Sequence, residues 1–242
     1  MPVQILKNIR RDLRQNIDKE YKAGVARSYK ESVVCYGVRT PIVRKLSRQY
    51  KKEIDNLNKK DLFILVEKLF QSGKNEEATL ATAWLVFRKD IYTQRDFLIF
   101  EKWLDQYLDN WSKIDDYCLH VIALMIDKYP ILKSGLKNKW TQSSNRWVRR
   151  GATVAFIRSG SGGYKINKED LPVIFVISRQ LWQDQAEMVR KGCGWLLKAA
   201  TVGDYQKTLD FILKNKDKMH SQVLAYALEK VPVSVKKEIR QK

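Results

Sequence analysis

The sequence predicts an all-α protein, an α-solenoid of degenerate HEAT-like helical repeats that forms a concave basic groove. Most apolar residues recur at i, i+3 and i+4, the spacing that gives a helix one apolar face. Only 11 Gly and 5 Pro interrupt the 242 residues, and no stretch alternates apolar and polar residues for long. About a dozen helices in pairs of about 40 residues are typical of such stacked repeats.

The predicted helices begin and end at residues that commonly bound helices. The N-terminal "MPVQILKNIRRDL" is amphipathic, and "NKKDLFILVEKLFQSG" carries one apolar stripe and stops at Gly73. The pattern recurs in "NEEATLATAWLVFRKD", "TQRDFLIFEKWLDQYLD", "SNRWVRRGATVAFIRSG" and "QAEMVRKGCGWLLKAA". "LPVIFVISRQLW" is rich in β-branched residues, but its continuation into Arg179, Leu181 and Trp182 favours a helix. We predict one domain over residues 1–242, with its longest irregular loop at 159–167.

The charge of the chain predicts an anionic partner. Lys and Arg number 46 against 27 Asp and Glu, a formal net charge of +19, and no acid occurs between Lys128 and Lys168. Nucleic acid is the commonest target of such a basic protein, and an anionic membrane surface is the second. A solvated basic face without a partner is the third interpretation.

The cysteines and the N-terminus indicate a reducing compartment. Cys35, Cys118 and Cys193 are odd in number and widely spaced, which disfavours a disulfide framework and a zinc module. The N-terminal segment lacks the apolar core of a signal peptide, and no apolar run approaches the ~20 residues that cross a bilayer. We therefore expect a cytoplasmic protein without a membrane partner.

The segment "DNWSKIDDYCLHVIALMI", residues 109–126, is the first candidate for chemistry. Trp111 and Asp115 are four residues apart and share a helix face, whereas Asp116 lies on the next face. Capping by Asp109 or Asn110 would account for acids near a helix N-terminus. Capping does not explain why a large ring shares a face with a carboxylate.

Two further segments combine aromatic and basic residues. "NRWVRRGATVAF" sets Trp147 among Arg146, Arg149 and Arg150, and arginine binds phosphate bidentately. "VRKGCGWLLKAA" sets Trp195 after two glycines, with Lys191 and other cations nearby. Three other tryptophans fit the core by their helical spacing: Trp84, Trp103 and Trp140.

The sequence lacks complete motifs for a metal site or a phosphate-binding loop. Asp116 and His120 could form half of a metal site, but neither a second His nor a Cys stands at ligand spacing. "GSGG" at 160–163 lacks the Lys-Ser/Thr ending and the strand of a phosphate-binding loop. We expect neither a metal nor a cofactor.

Five blocks together resemble the AlkD family of DNA alkylation-repair glycosylases, in order and in spacing. They are "CYGVRTPIVRKLSRQY" (35–50), "NWSKIDDYC" (110–118), "NRWVRRGATVAF" (145–156), "KGCGWLLK" (191–198) and "SQVLAYALEKVP" (221–232). The resemblance implies a monofunctional enzyme of base excision repair that hydrolyses the N-glycosidic bond of N3- or N7-alkylated purines without metal or cofactor. It implies duplex DNA with alkylated bases as the partner, a monomer, and association with the nucleoid.

The same resemblance implies roles for individual residues. Asp115 matches the catalytic carboxylate, and Trp111 and Trp195 match the aromatic residues of the catalytic cleft. Arg150 matches the arginine that holds a DNA phosphate, and the spacing leaves open whether Arg149 or Arg150 faces the DNA. Further phosphate-binding candidates are Arg146 and Lys191; further cleft candidates are Tyr29, Trp147 and Asp116.

The proposed chemistry also fits the residue types themselves. Breaking the bond to a cationic purine leaves a neutral base and an oxocarbenium-like sugar, so a fixed carboxylate near the sugar is what helps. Two alternatives remain: a catalytically silent module that binds branched or distorted nucleic acid, and a protein-interaction scaffold. A role as a protein-interaction scaffold does not explain the acid-free segment.

Overall fold

The computed structural model describes residues 2–29, 32–160 and 163–241, and it confirms the all-α class. The chain divides into two compact units, Met1–Leu124 and Met125–Lys242. The helices of the first unit are α1 (Pro2–Gln15), α2 (Lys19–Ser28), α3 (Thr40–Gln49), α4 (Lys51–Asp55), α5 (Lys59–Phe70), α6 (Asn75–Phe87), α7 (Phe97–Tyr107) and α8 (Trp111–Tyr117). A π-helical segment, Cys118–Ile122, follows α8 directly, and the unit boundary falls within α9 (Ala123–Lys128).

The first unit packs its helices in two rows. In one row α6 lies between α3 and α8, and in the other α5 lies between α1 and α7. The rows meet through α5 and α6. Fully buried Trp84 and Trp103 belong to this core, as the sequence predicts. This packing within the unit is that of helical repeats.

The second unit continues with helices and one short hairpin. Its helices are α10 (Lys133–Asn138), α11 (Arg146–Val154), α12 (Leu171–Leu181), α13 (Glu187–Gly203), α14 (Tyr205–Asn215), α15 (Ser221–Ala227) and α16 (Val233–Gln241). α13 is central and contacts α11, α12, α14 and α15. Trp140 is fully buried in this unit, again as predicted. Short 3-10 turns occur in this unit at Pro130–Leu132, Trp140–Gln142, Lys168–Asp170 and Lys216–Lys218. Two more, Lys89–Ile91 and Gln94–Asp96, belong to the first unit.

The hairpin corrects one prediction. Within the predicted irregular loop 159–167, β1 (Arg158–Gly160) pairs antiparallel with β2 (Gly163–Lys165), and Ser159 faces Tyr164 across the pair. Ser161 and Gly162 of the same loop lie outside the described residues. The segment is too short for a period-two pattern, so periodicity could not reveal these strands.

The predicted helix in "LPVIFVISRQLW" is confirmed as α12. Ile174 and Ile177 of this helix are fully buried, so the β-branched residues here serve helix packing. Across the ranges that the structure describes, no helix is both long enough and apolar enough to cross a membrane.

Candidate active site

The start of α8 is fixed by Asn110, a buried N-cap residue. Its Oδ1 accepts hydrogen bonds from the backbone N–H groups of Ser112 and Lys113 at 3.1 and 3.2 Å, and its Nδ2 donates to Asn75 on α6. Lys113 is also buried and donates through Nζ to Gly73 O and Asp109 Oδ1. Asp109 therefore pairs with a lysine, and Asn110 is the cap that positions Trp111.

Trp111 forms an aromatic pair with Tyr29. Their ring centroids are 5.2 Å apart and the ring planes are 18° from parallel, although Trp111 keeps 37% of its surface exposed. Burial raises the pKa of the Tyr29 hydroxyl, opposed by its hydrogen bonds to Ser112 and Asn75. The phenol is thus neutral at physiological pH and supports the tryptophan ring.

A cleft of about 530 Å³ adjoins this aromatic pair, entirely within the first unit. Its walls come from α2, α3, α6 and the start of α8, and they include Tyr21, Val43, Glu76 and Thr79. Sequence patterning missed Glu76 and Glu77 as parts of this region. Both are almost completely buried near the N-terminus of α6.

The Glu76 carboxylate holds the segment that lies between α2 and α3. It accepts hydrogen bonds from the backbone N–H groups of Tyr36, Gly37 and Val38 at 2.7–2.9 Å. Glu77 accepts the Tyr36 hydroxyl at 2.6 Å and the guanidinium of Arg10. These glutamates are structural anchors of one wall of the cleft.

Two adjacent acids, Asp115 and Asp116, lie near the C-terminal end of α8. Asp115, one turn after Trp111, is half-buried. Asp116 lies beside His120, with 3.2 Å between its Oδ1 and the ring Nδ1. His120 Nδ1 also lies 2.8 Å from the Asp116 carbonyl oxygen. Asp116 is therefore held beside His120.

In the second unit, α11 carries the arginine doublet. Asn145 caps the helix by accepting from Trp147 N, and the Arg146 guanidinium lies 4.8 Å from the ring centroid of buried Trp147. Arg149 forms a bidentate pair with Asp184 at 2.6 and 3.0 Å. It also donates to the carbonyls of Ser143 and Ser144. The guanidinium of Arg149 thus ties α11 to the loops around it.

Arg150 is buried on the side of α11 that faces α13. It donates through Nη1 to the carbonyl oxygen of Met188, and only 5% of its surface is exposed. Its Cγ and Nη1 lie against Gly192, where an added Cβ would come within 3.4 Å of both. The Arg150 side chain therefore packs directly against α13 at Gly192.

The run Gly192-Cys193-Gly194 brings α13 close to three neighbours. A Cβ at Gly192 would lie 2.6 Å from Thr153 Oγ1 on α11, and one at Gly194 would lie 2.5 Å from Tyr226 Cβ on α15. Cys193 is buried, contacts Ser178 O on α12, and has a thiol pKa raised to about 12 by burial. The glycines flanking this cysteine are required by helix packing.

Trp195 follows this run and is half-buried. The Tyr164 ring of the hairpin packs edge-on against it, with the centroids 4.9 Å apart at 89°. Lys191, on the preceding turn, pairs with Glu187 at 2.8 Å. The hairpin is therefore an element of the Trp195 environment that motif spacing did not indicate.

The acid-free segment is less uniformly cationic in three dimensions than in sequence. Lys133 pairs with Asp170, Arg149 with Asp184, and Arg158 with Asp127. Asp127 and Asp170 lie just outside the segment, and Asp184 lies in the loop between α12 and α13. The linear gap in acids consequently overstates the charge presented to a ligand.

Replacing Gly192 by Ala should disturb the packing of α13 against Thr153 on α11. The new Cβ would overlap Thr153, so we expect the free energy of unfolding to fall by about 1–3 kcal/mol. Gly135→Ala is the matched control, because nothing lies within 4 Å of its Cβ position on α10. We expect the free energy of unfolding of this control to rise by about 0.5–1 kcal/mol. Urea unfolding measures both changes. Equal effects of the two variants would contradict the close packing of α13.

No group of three or more His, Cys, Asp or Glu that could hold a metal ion occurs among the described residues. Each unit instead combines aromatic and cationic side chains on adjacent helices. The class of protein that this defines is an all-α protein built of packed helical repeats.

The chain belongs to the DNA alkylation repair enzyme family, whose model matches residues 9–231. Membership places the protein in DNA alkylation repair. A solved structure described as "Predicted DNA alkylation repair enzyme from Enterococcus faecalis" is 15% identical and superposes with a TM-score of 0.76. The match covers 90% of this chain and 98% of that chain, and at this identity it shows the fold alone. No curated protein sequence matches this chain.

Proposed function

We propose that the protein is a monofunctional DNA glycosylase that excises cationic N3- or N7-alkylated purines from duplex DNA. The observation that carries the proposal is the arrangement at the start of α8. An exposed tryptophan, backed by Tyr29, stands one turn before half-buried Asp115. The face of the Trp111 ring can hold a sugar, and the Asp115 carboxylate lies on the same side of the helix.

The proposed reaction uses few groups. The alkylated purine already carries positive charge and leaves as a neutral base, so no general acid is needed. The Asp115 carboxylate stabilises the developing positive charge on the sugar and orients the water that attacks C1′. The Trp111 ring attracts the same positive charge through its quadrupole.

We assign the phosphate to Arg150 because it matches the arginine that holds a DNA phosphate in the AlkD family. Arg149 already fills its donors with Asp184 and two carbonyls. We assign Arg146 and Lys191 secondary roles on the backbone, and Trp195 a contact with the DNA. Trp147 is buried, so its role is to support Arg146.

The direct test is incubation of the protein with a duplex that contains one N7-methylguanine. We expect abasic sites, detected as strand breaks after alkali treatment, and none in an unmodified duplex. Absence of abasic sites while the protein still binds the duplex would overturn the enzymatic proposal.

Replacing Arg150 by Ala should weaken DNA binding by about 1–3 kcal/mol, roughly 5- to 150-fold in Kd, if it holds a phosphate. Arg149→Ala should instead lower the free energy of unfolding by about 3 kcal/mol, because it leaves Asp184 buried without its partner. Because buried Arg150 also contributes to the packing of α11, fluorescence anisotropy is compared only under conditions in which urea unfolding shows both variants to be folded. A loss of DNA affinity confined to the Arg149 variant would reverse the assignment.

A second candidate function is a catalytically silent module for branched or distorted DNA. The formal net charge of +19 favours it, because phosphate contacts alone can hold DNA without any catalytic group. Tight, salt-sensitive binding to a four-way junction without excision of N7-methylguanine would support the module.

A further inference from the structure

A second pocket of about 300 Å³ lies within the first unit, between α3, α6 and the π-helical segment. Its charged or titratable lining residues are Arg44, Arg48, Asp116 and His120. Ser47, Thr79 and Thr82 add hydroxyl groups, and Ala83, Val86 and Phe87 form its apolar part. This composition suits an anion with several oxygen atoms.

The two arginines supply the cationic side of the pocket. Arg44 and Arg48 are exposed and one turn apart on α3, so their side chains point to the same side of the helix. Within the described ranges neither forms an ion pair, although Asp116 lines the same pocket. Two exposed guanidinium groups without a carboxylate partner are well suited to phosphate.

His120 supplies a third donor to this pocket. Its Nδ1 faces two acceptor atoms of Asp116, so the ring proton stays on Nδ1 and Nε2 can donate only when the ring is cationic. The hydrogen bond that the His120 ring donates to Asp116 raises the pKa of His120, opposed by burial and by the charge of Arg44. The remaining charged group of the pocket is Arg48.

The local backbone makes this arrangement possible. His120 lies in the π-helical segment, where Ala123 N donates to Cys118 O, an i to i+5 bond. Such single π turns are rare and occur often at functional sites. Nothing in the excision chemistry assigned to Asp115 uses this turn.

We propose that Arg44, Arg48 and His120 bind a backbone phosphate of the DNA strand, and that Asp116 is the positioning residue for His120. This inference rests on the proposed function insofar as the partner is duplex DNA. Thr79 lines both this pocket and the cleft beside Trp111, so the two cavities are neighbours along α6. A strand that contacts Trp111 can place a nearby phosphate in the pocket.

The chain offers an internal reference for testing the pocket, because it contains only 2 histidines. The other, His220, caps α15 in the second unit by accepting from Gln222 N. We expect the NMR titration of His120 to move up by about one pH unit when an undamaged duplex is added, because a nearby phosphate favours the charged ring. Since the ring must be cationic, binding should weaken as pH rises through this titration.

Charge removal tests the arginines. We expect Arg44→Gln/Arg48→Gln to bind duplex DNA at least about tenfold more weakly and to lower the slope of log K against log salt by about one. The matched control, Lys60→Gln/Lys68→Gln, removes two exposed charges from α5, which does not line the pocket. Arg44→Lys/Arg48→Lys should restore most of the slope because it keeps the charge.

The outcomes separate this inference from the proposed function. If the wild type excises N7-methylguanine but His120 titrates as it does without DNA, the pocket is wrong and the enzyme stands. If His120 shifts but nothing is excised, the pocket stands and the enzyme is wrong. Equal effects of the arginine and lysine double variants, equal shifts of both histidines, or the same His120 shift with inorganic phosphate would overturn the strand assignment.

Discussion

Replacing Asp115 by Asn is expected to lower the single-turnover rate of N7-methylguanine excision by at least about 100-fold, or about 2.7 kcal/mol in the activation barrier. The amide keeps the shape of the side chain and removes the negative charge that stabilises the cationic sugar. Rates measured with excess enzyme report this loss separately from binding. We expect the affinity for an undamaged duplex to change little.

Asp116→Asn is the matched control for this prediction, because the two acids are adjacent in α8. Asp116 contacts His120 and lines the pocket of Arg44 and Arg48, so its replacement should affect binding more than the chemical step. With saturating enzyme we expect excision within about tenfold of the wild type. A larger loss in Asp116→Asn than in Asp115→Asn would transfer the catalytic role.

Glu76→Ala is expected to lower the free energy of unfolding by about 3–5 kcal/mol. The variant leaves three buried backbone N–H groups without the carboxylate that accepts them. Hydrogen bonds to a charged acceptor are stronger than neutral ones, and buried donors without partners are costly. Urea unfolding followed by circular dichroism measures the change.

The control for Glu76 is Glu53→Ala on α4, where the side chain is exposed. A surface replacement of this kind changes stability by less than about 0.5 kcal/mol. If Glu76→Ala were as stable as this control, another group would have to satisfy the segment 36–38.

The helical class followed from the sequence because apolar spacing reports burial directly. The tryptophans at 84, 103 and 140 lie in the core where their spacing placed them. The hairpin at 158–165 could not be anticipated, since three-residue strands have no measurable period. The resemblance to the AlkD family agrees with the family that the chain belongs to, and the glycosylase chemistry and its residues stay predictions.

Two features of the candidate site depended on contacts that spacing cannot supply. Glu76 and Glu77 resemble ordinary acids in the first turn of α6, yet both are buried by partners about 40 residues or more away. The π turn after Tyr117 shifts the helix phase, so a regular helical period cannot assign faces beyond Cys118. Likewise, the sequence could not predict the Arg149–Asp184 pair, because the loop of Asp184 is distant from Arg149 along the chain.

The Gly192-Cys193-Gly194 run affects how relatives of this protein should be compared. Each of its three positions meets a different helix, so selection would preserve all three even in a member that had lost every enzymatic activity. Invariance at these positions would therefore carry no information about catalysis. Trp111 and Asp115 are better indicators, because the proposed excision chemistry requires both side chains.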